Sequence, residues 1–77
     1  MPRFRVVSGK LLVKLLKSQG FIIERIKGSH VILGTPDHID VVVIPMHPMI
    51  DKDTLSSIIK VILPFVSEKF IKKYLFR

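Results

Sequence analysis

Apolar positions recur at helical spacing near both ends of the chain and at strand spacing in the middle. Leu11, Leu12, Leu15 and Leu16 repeat at the period of a helix, and Val7 extends the set backwards. They predict a helix from Gly9 to Gln19, with Ser8 as an N-cap that accepts an early N–H. Gly20 is the expected left-handed residue beyond it, and Phe21 can fold back on the last turn. Phe21 to Lys27 reads as a strand rich in β-branched bulk, with Ile22, Ile23 and Ile26. Gly28-Ser29 is a turn, and His30 to Gly34 is the return strand of a hairpin. Thr35-Pro36-Asp37-His38 is a second turn, in which proline presets φ and aspartate closes a local side-chain bond. Asp40 to Ile44 is a continuously apolar third strand, ended by Pro45, which has no N–H for a ladder.

The next helix has a marked start. Asp51 is its N-cap, Ile50 and Leu55 form a hydrophobic staple, and Asp53 favours the first turn. Leu55, Ile58, Ile59 and Ile62 make its apolar stripe, and Pro64 stops it. A short last helix is capped by Ser67, with Val66 and Ile71 as a second staple. Val66, Phe70 and Tyr74 line one side of it. Lys69, Lys72, Lys73 and Arg77 place cations towards its C-terminus. The order is α-β-β-β-α with a short terminal helix. This predicts an α+β fold in which a three-stranded antiparallel sheet is covered on one face by the two main helices. No repeat, low-complexity tract or linker interrupts it, so residues 1–77 are expected to form one domain.

Composition narrows the chemistry. There is no cysteine, which removes disulfides and thiolate metal sites and suits a reducing cytosol. The start, Met1 to Val7, lacks the apolar core of a secretory leader, and no apolar run is long enough to span a bilayer. The expectation is a soluble, cytoplasmic protein with no membrane partner. The net charge of +7 is uneven: residues 1–30 and 57–77 are basic, while residues 31–56 hold Asp37, Asp40, Asp51 and Asp53 against Lys52. A basic surface attracts phosphate backbones, anionic lipid or acidic proteins. Lys10, Lys14 and Lys17 form a stripe along the first helix, readable either as a solvated face or as phosphate contacts.

Three histidines are the groups best suited to proton transfer near neutral pH. His30 opens the return strand after Lys27-Gly28-Ser29. RNA carries its own nucleophile, the 2′-OH. Its cleavage needs a base, an acid for the leaving 5′-oxygen and cations for the phosphate, all of which histidine with lysine or arginine can supply without a metal cofactor. Gly28 permits close approach of a phosphate, and Ser29 can donate a hydrogen bond. A histidine at a strand start is more often a structural or surface residue. His47, after the third strand, is either a surface loop residue or an acid/base partner that the meander brings towards His30. His30, His38 and His47 with Asp40 match no standard metal spacing, since the hairpin puts His38 at the far end of its strand from His30. No Gly-Lys-Ser/Thr phosphate loop and no serine triad is present. Met46, Met49 and Ile50 form an apolar group suited to core packing or to a partner.

The succession Ser8-Gly9-Lys10, Gly20-Phe21, Arg25-x-Lys27-Gly28-Ser29-His30, Pro45-x-His47, Thr54-Leu55-x-x-Ile58 and Ser67-Glu68-Lys69-Phe70 resembles the HicA (YcfA-like) toxins of toxin–antitoxin pairs. The likeness runs in order over roughly residues 8–75, and the Lys-Gly-Ser-His block is its specific part. It implies a small relative of the double-stranded-RNA-binding domain that acts as an mRNA interferase. It further implies His30 as the active histidine and a HicB-like antitoxin as partner. Lys10, Lys14, Lys17 and Lys27, with Gly28, Ser29 and His47, are then the expected RNA-binding or supporting residues. The family usually carries a basic residue between the proline and histidine of Pro-x-His, where this chain has Met46. Two other readings remain open at this point: an RNA-binding module that does not cut, and an inactive homologue that only engages an antitoxin.

Overall fold

The computed structural model describes residues 4–76. Six elements follow in the expected order: α1 (Gly9–Lys17), β1 (Ile22–Lys27), β2 (His30–Gly34), β3 (Val41–Pro45), α2 (Lys52–Ile62) and α3 (Glu68–Tyr74). Arg77, expected to place a cation after α3, and residues 1–3 lie outside the described residues.

Every helix starts at its predicted cap. The Leu11 N–H donates to Ser8 Oγ (3.0 Å), Thr54 N–H to Asp51 Oδ2 (3.2 Å) and Phe70 N–H to Ser67 Oγ (3.0 Å). The two serine caps are worth about 1 kcal/mol each. Both staple pairs, Ile50 with Leu55 and Val66 with Ile71, are buried in the core. The Thr54 side chain and N–H beside Asp51 hold its carboxyl below its ordinary pKa. α1 ends at Lys17, two residues before the expected Gln19. There the Ser18 hydroxyl donates to Leu15 O, Gly20 adopts φ 97°, and Phe21 N–H returns to Leu16 O. The buried side of α1 also differs from the leucine count: Leu12, Val13 and Leu16 are buried, whereas Leu11 is exposed. The contact with the sheet, not leucine number, sets which side turns inward.

The sheet is an antiparallel meander in the order β1-β2-β3. Val31, Leu33, Val42 and Ile44 form its covered face, packed with Leu12, Leu16, Leu55 and Ile62 into one core. The helices sit towards β3, which both α1 and α2 touch. β1 stands clear of them, with every residue exposed, so the cover over the sheet is less complete than the sequence suggested. The register explains its mixed pattern. Ile23 lies opposite Leu33 and Ile26 opposite Val31, both on the helix-covered side, although the two isoleucines are three residues apart. A bulge between Ile23 and Arg25 absorbs the extra residue.

Pro45 is the last paired residue of β3 rather than a stop outside it, and its partner is His30. Proline is tolerated because the pair is of the type that exchanges no direct bonds. The flanking bond runs from Met46 N–H to Ser29 O (2.7 Å). At the other end of β3, Val41 N–H donates to Asp40 Oδ1 (2.9 Å). The intervening β2–β3 turn is knitted by its own side chains. Fully buried Thr35 donates from Oγ1 to Asp37 Oδ1 (2.6 Å) and accepts from Asp40 N–H (3.1 Å), while Ile39 N–H donates to Asp37 Oδ1 (3.1 Å). The Thr35 hydroxyl, then the Ile39 N–H, lower the Asp37 pKa by stabilising its carboxylate.

Candidate functional site

The hairpin joining β1 to β2 is closed by Lys27 and His30 across the two residues Gly28 and Ser29. Gly28 has φ 59°, and Ser29 is not among the positive-φ residues. Positive φ at the first turn position only is the type II′ combination, whose twist matches the strands it joins. A Cβ at Gly28 would meet nothing within 4 Å. Glycine there serves the backbone conformation, and the space over the turn is open to an approaching group. Lys27, Gly28, Ser29 and His30 are all exposed.

Alternation decides which side chains share a face. Val31 and Leu33 point to the helices, so His30 and Ile32 point to the opposite, open face. Cross-strand partners lie on the same side, with Cβ atoms about 5 Å apart. Lys27 is therefore beside His30, and Arg25, the partner of Ile32, is next along that face. Arg25 is a candidate that the sequence reading left out of the site. The i, i+2 spacing of Arg25 and Lys27 was its available signal, and the bulge obscured the phase.

Three segments converge at this end of the sheet. Met46 N–H ties the residues after β3 to Ser29 O, and Gly9 N–H ties the first turn of α1 to His47 O (3.0 Å). Ile50 N–H to Val7 O (2.9 Å) secures the same loop one step further on. Gly9 is buried, and a Cβ there would overlap the Pro45 carbonyl oxygen and press on Met46 Cα. Only glycine lets α1 come this close to the Pro45-Met46-His47 segment. The meander thus brings His47 to the His30 end of the sheet, joined through backbone bonds to both the hairpin turn and α1.

The lysine stripe fits the corner less uniformly. Lys10 follows Gly9 at the junction, but Lys14 and Lys17 climb the helix, with Lys17 roughly 10 Å along the axis from Lys10. All three are exposed, on a helix that packs against the covered side of the sheet. The α1 terminus is no ready anion cradle, because the Gly9, Leu11 and Leu12 N–H groups are taken by His47 O, Ser8 Oγ and Ser8 O. His38 lies in the β2–β3 turn with φ 62°, at the far end of β2 from His30. Among the described residues, no three His, Asp or Glu side chains cluster as a metal set. Nor does any side-chain hydrogen bond or ion pair there engage Lys10, Lys27, His30 or His47. The corner therefore offers a free imidazole with two neighbouring cations, open to a phosphodiester from solvent.

No helix among the described residues is long and apolar enough to cross a membrane. Searches of curated proteins and of solved structures found no match to this chain. A family model described as the HicA toxin of bacterial toxin–antitoxin matches residues 9–63. That span begins at the glycine packed on Pro45, takes in the whole sheet with the Lys27 to His30 corner, and ends just beyond α2. It covers well over half of the sequence and includes the Lys27-Gly28-Ser29-His30 block, while Ser8 and the Ser67 to Phe70 stretch lie outside it. The chain belongs to the HicA toxin family of bacterial toxin–antitoxin systems.

Proposed function

We propose that this protein is an endoribonuclease, an mRNA interferase that cleaves RNA with His30 and without a metal cofactor. The observation that carries the reading is the exposed His30 imidazole on the open face of the sheet, flanked by Lys27 and Arg25. An imidazole can take the 2′-OH proton or supply one to the leaving oxygen. The adjoining cations offset the charge that builds on the phosphate as the fifth oxygen approaches. Gly28 and Ser29 keep the approach open, and Ser29 presents a hydroxyl beside it. Lys10, Lys14 and Lys17 extend the basic surface for RNA, with Lys10 nearest the corner. The partner is a HicB-like antitoxin with an acidic contact surface that covers the corner, and the site of action is the cytoplasm.

The test is cleavage of a mixed-sequence RNA by the purified chain in EDTA, wild type against His30→Ala. The wild type cuts, and the variant is slower by about 100-fold or more, the usual scale of a lost acid–base group. Its melting curve stays unchanged, because among the described residues no hydrogen bond of the fold passes through the His30 side chain. Wild-type cleavage by His30→Ala would remove this residue from the mechanism. RNA binding without cleavage by the wild type would replace the enzyme with a binding module.

A further inference from the structure

The proposed ribonuclease reaction moves two protons, and one exposed imidazole accounts for only one of them. We infer that His47 is the second proton-transfer group of the site and that Gly9, the first residue of α1, is the positioning residue that holds it there. This inference rests on the ribonuclease reading of His30.

The placement follows from the register. His30 pairs with Pro45, the last residue of β3, and the bond from Met46 N–H to Ser29 O ties the next residue to the hairpin turn. Pro45 lies on the His30 side of the sheet, and a chain that stays extended through Met46 would return His47, two positions past the strand end, to that side. Diagonal neighbours of this kind stand roughly 7–8 Å apart, a spacing that admits a phosphate between two imidazole rings. His47 is exposed and, among the described residues, its side chain bonds to nothing, as is true of His30. What fixes it is its backbone: Gly9 N–H holds His47 O, and the missing Cβ of Gly9 lets α1 press on Pro45 O and Met46 Cα. Any side chain at position 9 must push the Pro45-Met46-His47 segment away from α1 and with it move His47 relative to His30.

The step balances without a cofactor. One neutral imidazole takes the proton of the 2′-OH while the 2′-oxygen forms a bond to phosphorus. The other imidazole, protonated, gives its proton to the 5′-oxygen as the P–O5′ bond breaks. The products are a 2′,3′-cyclic phosphate and a free 5′-OH, and proton exchange with water resets the pair.

A chimeric oligonucleotide with a bridging 5′-sulfur at the scissile position separates the two roles, since a thiolate leaves without protonation. On ordinary RNA, His30→Ala and His47→Ala should each lose about 100-fold or more in kcat. On the sulfur substrate, one of the two variants should return to within about tenfold of wild type while the other stays slow. Gly9→Ala should lower kcat on ordinary RNA with KM within about twofold, because it removes no phosphate-contacting side chain. If Gly9→Ala does not fold, the two histidine variants on the two substrates decide the matter alone. Wild-type turnover by His47→Ala on ordinary RNA, or failure of the sulfur substrate to separate the two variants, overturns the inference and leaves His30 intact. Absence of cleavage by the wild type would instead overturn the ribonuclease reading itself.

Discussion

The two ends of β2 face opposite demands. At the β2–β3 end, Thr35, Asp37 and Asp40 spend their side chains on one another and on nearby N–H groups, and Thr35 is fully buried. At the β1–β2 end, Lys27, Ser29, His30 and His47 are exposed, and only backbone bonds tie their segments together. One turn consumes its polar chemistry to hold the fold. The other is held by glycine and main-chain bonds and leaves its polar chemistry free. Polar groups that the fold does not use are thus what mark this corner as the candidate site.

Substitutions at each end should separate these roles. The largest effect is expected from His30→Ala, with about 100-fold or more lost in RNA cleavage and no change in melting temperature. Thr35→Val inverts that result. It leaves the Asp40 N–H without its side-chain acceptor, which should cost about 1–3 kcal/mol in chemical denaturation, while cleavage per folded molecule is kept. Smaller effects follow from charge. Arg25→Glu with Lys27→Glu should weaken RNA binding more than Lys14→Glu with Lys17→Glu, because the first pair shares the His30 face. Salt titrations should show the first pair reducing the slope by about 0.7 per lost phosphate contact, and an equal effect of both pairs would favour a path along α1.

The smallest effect is on pH. The Asp37 carboxylate is stabilised in the native turn, so its contribution is complete above the ordinary value of 3.8 and is lost as pH falls through its lowered native value. Asp51, stabilised by Thr54, has the same sign. Urea midpoints should hold steady down to about pH 4 and decline below it. Asp37→Asn should flatten that decline while leaving cleavage untouched.

Local signals carried most of the fold into view from the sequence. Ser8, Asp51 and Ser67 cap their helices as read, because a cap depends only on residues within one turn. The meander was legible in the Gly28-Ser29 and Thr35 to His38 turns, and so was the return of the His47 segment to the His30 end of the sheet. What escaped depends on contacts across the fold. Leu11 belongs to a leucine cluster but faces solvent, because the sheet selects Val13 instead. Arg25 shares the His30 face by plain alternation with Lys27, but the β1 bulge before it puts Ile23 and Ile26 on one side three residues apart and so hides that phase in the sequence. Gly9 enters from the sequence only as the start of α1 and as part of the Ser8-Gly9-Lys10 likeness, and the packing reason for a glycine there emerges when Pro45 is found against it.

The capped β3 edge has a consequence for the protein in solution. Residues 41, 43 and 45 direct their main chain away from β2, yet Pro45 has no N–H and the Val41 N–H is turned onto Asp40 Oδ1. Val43 is left as the single outward donor of that strand. A lone donor cannot nucleate a ladder with another chain, and the bulge in β1 breaks the straight run of groups at the opposite margin. With 48% hydrophobic residues and exposed valines on β3, this sheet would otherwise invite stacking end to end. One proline and one aspartate thus blunt the β3 edge against pairing with another chain.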